Sequence, residues 1–145
     1  MSSLTDTDYR RLLEFRDGLR RFLRWSENEA AEAGLTPAQH QLLLAIRGHD
    51  GGAGGGHEPT IGDVAAHLQL RHHSAVGLVD RAAEAGFVER VSDEDDQRVV
   101  RLRLTATGKR RLERLAELHL EELRRLSPKL RALWANLEPE AAQAR

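Results

Sequence analysis

The stretch Thr60–Leu104, TIGDVAAHLQLRHHSAVGLVDRAAEAGFVERVSDEDDQRVVRLRL, decides how the chain folds. Thr60 is placed to cap a helix, and Asp63 falls in its first turn, where a carboxylate meets amides without intrahelical partners. Ile61, Val64, Ala65 and Leu68 then recur at helical spacing and give that helix one apolar face. Leu68-Gln69-Leu70 makes a turn, and a second helix is expected from Arg71 to Ala85. Its inward residues read as Val76, Val79 and Ala83, with Leu78 and Ala82 beside them. Gly86 stands where a helix end wants a residue that tolerates positive φ. Phe87–Val91 and Val99–Leu104 alternate enough for strands, with Val100, Leu102 and Leu104 on one face.

Helix, turn, helix and hairpin in that order define a mostly α fold with a small β-hairpin wing (α+β), the winged helix-turn-helix. In that layout the second helix lies in a DNA major groove. The chain-wide charge does not announce such a partner: net charge is −1 and the isoelectric point is near 6.7. Distribution says more. Arg98, Arg101, Arg103, Lys109, Arg110 and Arg111 cluster in sequence around the wing, a local basic region on a neutral protein.

At 145 residues the chain is long enough for one good core, so a single domain over 1–145 is expected, with residues 36–104 as its winged region. No apolar run approaches the length of a membrane span and the start, MSSLTDTDYRR, is polar, so a cytoplasmic location is expected. The absence of cysteine removes disulfides, thiolate catalysis and thiol-based sensing together.

Outside the winged region lie two long amphipathic segments. In residues 6–32, Leu12, Phe15, Leu19 and Phe22 step by three and four, and Gly34 ends the helix. Thr36-Pro37-Ala38-Gln39 restarts it as a capping box with proline at the first helical position, and Leu42, Leu43 and Ile46 face inward. Residues 106–137 carry Leu112, Leu115, Ala116, His119, Leu123 and Leu126 on one side, then Leu130, Leu133, Trp134 and Leu137. Ser127-Pro128 is expected to restart or kink this helix. Helices of this kind need a partner for their apolar sector. The reading adopted is a second copy of the chain across a two-fold axis, meeting through Leu12, Phe15, Leu19, Leu123, Leu126, Leu130 and Leu133. Between the helix that starts at Thr36 and the stretch that starts at Thr60, Gly48–Pro59 (GHDGGAGGGHEP) holds six of the twelve glycines and reads as a flexible surface loop. It lacks the strand-to-helix junction and the following Gly-Lys-Ser/Thr of a phosphate-binding loop.

Candidate contacts follow from the layout. Arg71, His72, His73 and Ser74 stand at the first turn of the second helix, where amides and polar side chains meet phosphates and base edges. Gly77, on the same helix, carries no side chain and is expected to let the helix approach a partner closely. The run Asp93-Glu94-Asp95-Asp96 lacks the spaced ligands and glycine of a calcium loop. His72 and His73 are adjacent and diverge, while His40, His49, His57, His67 and His119 offer neither HxxxH nor carboxylate-histidine helical spacing, so no metal site is expected. Ser74 has no base and orienter in view, so no catalytic set and no cofactor is expected either.

These residues resemble the MarR family of bacterial transcriptional regulators. The resemblance is carried by Leu35-Thr36-Pro37 with Gln41-Leu42-Leu43, by Val79-Asp80-Arg81, by Gly86-Phe87-Val88, by Asp93-x-x-Asp96-x-Arg98, and by Leu104-Thr105 with Gly108. It runs from Thr36 to Leu126 in the family's order. It implies a homodimeric, ligand-responsive repressor on double-stranded DNA, with an aspartate at Asp96 orienting Arg98 into the minor groove. It implies dimerisation through the terminal helices. It also implies a small aromatic or amphipathic anionic effector bound between the dimer helices and the winged domain. Family members often carry a polar or basic residue where this chain has Gly77. A winged-helix module that binds protein, and a metal-responsive regulator, are the alternatives.

Overall fold

The computed structural model describes residues 3–49 and 57–135. The glycine run at 50–56, expected as a flexible loop, and the end of the chain from 136, with Leu137, lie outside the described residues. The elements in order are α1 (Asp6–Glu32), α2 (Pro37–Gly48), α3 (Ile61–Leu68), α4 (His72–Glu84), β1 (Val88–Ser92), β2 (Val100–Leu104) and α5 (Ala106–Ala135). They form two compact units, one within Met1–Asn28 and Glu117–Arg145, the other Glu29–Ala116.

In the Glu29–Ala116 unit the helix starts are built by side chains. Thr36 accepts the Gln39 amide at 3.1 Å while Gln39 accepts the Thr36 amide at 3.1 Å. Thr60 and Asp63 do the same for α3, at 3.2 and 2.9 Å. Each box satisfies two amides that the helix itself leaves open. The turn between α3 and α4 places Gln69 in the left-handed region, φ 55°, and the Leu70 amide closes back on the Ala65 carbonyl at 2.9 Å. After α4, Gly86 at φ 83° lets the Phe87 amide reach the Ala82 carbonyl at 3.0 Å.

The core gathers Leu42 and Leu43 from α2, Val64 from α3, Val79 from α4, Leu102 from β2 and Leu115 from α5, all fully buried. The hairpin is antiparallel with Val88 opposite Leu104, Arg90 opposite Leu102 and Ser92 opposite Val100. Leu102 and Leu104 are buried, while Val100 shares their pleat but sits at the open end and is exposed. Pro59 is buried too, and its carbonyl accepts the Leu102 amide at 2.8 Å, so the chain entering α3 is fixed to β2. Gly108 marks a close approach: a Cβ there would lie 2.2 Å from the Phe87 carbonyl oxygen. That same oxygen accepts the Thr105 amide at 3.0 Å, which seats the first turn of α5 against the end of α4.

Three expectations need correction. The buried face of α4 is Ala75, Leu78, Val79 and Ala82, an i, i+3, i+4, i+7 set; Val76 and Ala83 are only half-buried. Counting from Val76 rotates the helix by one residue. The elements also begin later than expected, since Arg71 is the N-cap of α4, Phe87 precedes β1 and Val99 precedes β2. Finally, α5 runs without a restart through Ser127-Pro128. Pro128 is exposed, so the carbonyl deprived of an amide partner faces solvent and the helix tolerates the loss.

In the unit within Met1–Asn28 and Glu117–Arg145, α1 opens on a further reciprocal cap: Thr5 accepts the Asp8 amide at 3.3 Å and Asp8 accepts the Thr5 amide at 2.8 Å. His119 and Ser26 are joined across the helix pair at 2.6 Å, with the Trp25 ring 4.9 Å from the imidazole. This agrees with a hydrogen-bonded histidine on an otherwise apolar face.

Candidate nucleic-acid interface

The wing is folded by its own carboxylates. Asp93 Oδ2 accepts the amides of Asp95 and Asp96 at 3.1 and 3.0 Å, and Oδ1 accepts Arg101 Nε at 2.9 Å. The Arg101 bond is the main reason the Asp93 carboxyl is held below the ordinary aspartate range, with the Asp96 amide next. Asp96 then grips Arg98: Oδ1 accepts both the Arg98 amide and Nε at 3.0 Å, and Oδ2 accepts Nη2 at 3.1 Å. This fork lowers the Asp96 carboxyl and raises the Arg98 guanidinium. The Arg98 side chain remains 91% exposed, against 40% for Asp96. An acidic run beside a cationic tip is therefore no contradiction, because two of its members shape and aim the loop.

At the other candidate surface, Arg71, His72, His73 and Ser74 are all exposed at the start of α4. Arg71 makes no side-chain cap, so the first-turn amides carry their partial positive charge outward with no side-chain acceptor among the described residues. Gly77, half-buried, lies on α4 one turn before exposed Arg81.

Of the basic cluster expected around the wing, Arg98, Arg101 and Arg103 are paired with carboxylates. Arg101 pairs with Asp93 and also donates to the Glu58 carbonyl at 3.0 Å; Arg103 pairs with Glu89, its cross-strand partner, at 2.6 Å. Arg111 donates to the Ala33 carbonyl and lies 5.5 Å from the Phe87 ring centroid. Arg110 bonds Thr107 at 3.3 Å. Glu89 of the Arg103 pair and Ala33 of the Arg111 bond come from other parts of the chain, which sequence proximity does not show. The hairpin register alone would have found Glu89 and Arg103, but nothing local signals the Asp80–Arg90 pair that ties α4 to β1.

The histidines also rearrange. His67 stands one turn after Asp63 on α3, a carboxylate-histidine spacing contrary to expectation, and His49 joins them. His49 Nδ1 lies 3.0 Å from His67 Nε2 and its Nε2 lies 3.8 Å from Asp63 Oδ2. The two ring nitrogens thus address different neighbours and do not converge on one point. Among the described residues no group of three such side chains is arranged to hold a metal ion. Asp63 is held below the ordinary range first by the Thr60 amide, with burial opposing.

The residues expected to join two copies divide by exposure. Leu12, Phe15, Leu19, Leu123 and Leu130 are exposed; Leu126 and Leu133 are half-buried. An open groove of about 810 Å³ runs between α1 and α5, walled by Phe15, Leu19, Phe22, Leu123, Leu126 and Leu130. None of the described helices is long and apolar enough to cross a membrane.

Comparison with known proteins agrees with this geometry. Residues 33–99 match the model of the MarR family, a span that takes in α2, α3, α4, β1 and the wing loop. The HTH-type transcriptional regulator YsmB of Bacillus subtilis is 35% identical over 65 residues, 45% of this chain. The aligned stretch spans only 44% of that relative's length. Among solved structures, the MarR family regulator AbsC of Streptomyces coelicolor superposes with a TM-score of 0.69 at 22% identity, covering 99% of this chain and 89% of its own. A mutant MepR from S. aureus, bound to an oligodeoxyribonucleotide, gives 0.64 at 18%, covering 99% and 100%. CouR of Rhodococcus jostii, bound to p-coumaroyl-CoA, gives 0.67 at 21%, covering 97% and 87%. At these identities the structures establish the shared fold, and the family match covers residues 33–99. Over residues 33–99, and in its fold, the chain is similar to the MarR family of transcriptional regulators.

Proposed function

We propose that the protein is a homodimeric regulator that binds double-stranded DNA, inserting α4 in a major groove and Arg98 in the flanking minor groove. The observation that carries this reading is the Asp96–Arg98 fork. A fully solvated arginine held in one orientation by two bonds to a neighbouring carboxylate has little value for stability, since exposed pairs contribute little. It has clear value for presenting a cation to a narrow groove, whose enhanced negative potential attracts arginine. The uncapped start of α4, with Arg71, His72, His73 and Ser74, supplies phosphate and base-edge contacts in the same unit. Two copies would place their reading helices about one helical turn, ~10 bp, apart on a pseudo-palindromic site.

The second copy is assigned to the exposed apolar sector of α1 and α5. The same helices support an effector site: the groove is largely apolar, and the charged residues lining it are Arg21, Arg125 and Lys129 with Glu14 and Glu122, of which Glu122 is paired with Arg125, which suits a small amphipathic anion. Such a ligand acts by preferring one spacing of the two reading helices over another. Repression follows where the site overlaps a promoter.

A salt titration tests the reading. Affinity for DNA from the protein's own upstream region should fall steeply as salt rises, because bound arginines release condensed counterions. Arg98→Ala should lower affinity and reduce the slope by about one ion per Arg98 contact. Binding that is absent, or indifferent to salt, would instead favour a module that docks on protein.

A further inference from the structure

The wing fork and the start of α4 leave one cation of the reading helix without a role. Ser74, Gly77 and Arg81 follow one another at i, i+3 and i+7, forming a ridge that is small, then empty, then long. Helical side chains lean toward the amino terminus, so the Arg81 chain lies back over the turn containing Gly77. A Cβ added at Gly77 would come within 3.3 Å of Arg81 Nη1, which places the guanidinium in the gap that the missing side chain leaves. Arg81 is exposed, and it has neither an ion pair nor a side-chain hydrogen bond among the described residues. The arginines of the hairpin are different: Arg90, Arg98, Arg101 and Arg103 are each held by a carboxylate.

A guanidinium with its fork of donors uncommitted matches the O6 and N7 acceptors of guanine in the major groove. The amino-terminal part of a reading helix is the part that meets base edges. Leaning back across Gly77 brings Arg81 one turn nearer to it. Glycine at this point otherwise only weakens the helix.

We propose that Gly77 and Arg81 work as one unit, with the gap at Gly77 admitting the Arg81 guanidinium to a guanine, so that Arg81 sets a base preference in each half-site. This rests on the DNA-binding reading above. The test is selection from a randomised duplex library with the wild-type protein. Binding by fluorescence anisotropy to duplex pairs that differ at one enriched position then measures the preference. The wild type should enrich a guanine in each half-site and discriminate against its replacement by adenine about tenfold or more. Arg81→Lys keeps the charge but lacks the fork. It should bind with an unchanged salt dependence while losing most of that discrimination. Gly77→Leu, which fills the gap, should lose it as well with Arg81 still present. Thermal melting of both variants separates loss of preference from loss of fold, and Arg81→Lys decides where Gly77→Leu does not fold. If no duplex binds, the DNA-binding reading fails and this proposal fails with it. If duplexes bind with a guanine preference that Arg81→Lys retains, this proposal alone is overturned.

Discussion

In the unit Glu29–Ala116, Leu42, Leu43, Val64, Val79 and Leu102 are fully buried, whereas Leu12, Leu13, Leu23 and Leu120 of the terminal helices each leave at least half of their surface open. The charges divide in the same way. In the first unit Asp80–Arg90, Glu89–Arg103 and Asp93–Arg101 join residues distant in sequence. In the second, the ion pairs among the described residues, Asp8–Arg11, Asp17–Arg20 and Glu122–Arg125, all run along a single helix at i, i+3. One region finds its partners inside the chain. The other carries an apolar pattern whose complement the described residues do not supply, which is the physical content of proposing a second copy for it.

The largest effect expected from that contrast is on folding. Leu102→Ala removes a fully buried side chain and should cost about 2–5 kcal/mol in urea unfolding. Leu120→Ala, on a residue 52% exposed, should stay within about 0.5 kcal/mol at protein concentrations too low for association. Equal losses would erase the distinction between the two regions. The complementary experiment places charge on the open face. Leu12→Glu combined with Leu123→Glu should turn a dimer into a monomer in sedimentation velocity at micromolar concentration and remove the concentration dependence of Tm. A wild-type protein that sediments as a single subunit would break the comparison from the other side.

Much of the winged unit was legible because its signals are local. Thr36 with Gln39, Thr60 with Asp63, and Gly86 after α4 all act within a few residues of themselves, and each lies where its chemistry requires. The inward face of α4 was harder. Ala75 and Ala82 bury as completely as Val79, yet small residues contribute little to the apolar periodicity of a helix. Partnerships between elements were not legible at all: Arg101 reaches the Glu58 carbonyl and Arg111 the Ala33 carbonyl, contacts fixed only once the chain has folded. For the candidate site, the pairing of Asp96 with Arg98 was readable only through the family resemblance. The role argued for Arg81 needed the position of its guanidinium relative to Gly77.

A smaller effect compares one device in both regions. Thr60→Ala removes a cap that seats α3 against the core and should cost about 1 kcal/mol. Thr5→Ala removes the same reciprocal cap from α1, but the exposed end of a helix frays at little cost, so the loss should be distinctly smaller. Thermal unfolding of the two variants side by side measures the difference. A larger loss for Thr5→Ala would mean that the start of α1 is held more firmly than its exposure implies.

The smallest effect lies in the acid range, where both regions carry a carboxylate held low by arginine: Asp96 by Arg98, and Glu122 by Arg125. A carboxyl whose folded pKa is depressed contributes above its unfolded pKa and loses that contribution as pH falls through the folded value. Neither pair should therefore respond near neutrality, and each should release its arginine only below the ordinary carboxylate range. Carboxyl-carbon NMR can follow both groups in one titration. In Arg98→Ala the Asp96 midpoint should rise toward the ordinary aspartate value while Glu122 stays where it was, since the cause at each site is its own neighbour. The Glu122 pair spans one turn of α5 and organises only itself, whereas Asp96 also accepts the Arg98 amide and so fixes the backbone of the wing. Wing amide shifts should accordingly move together with Asp96 protonation. An Asp96 that titrates at its ordinary value in the wild-type protein would mean that nothing aims Arg98, and the wing would then differ in no useful way from the ion pair on α5.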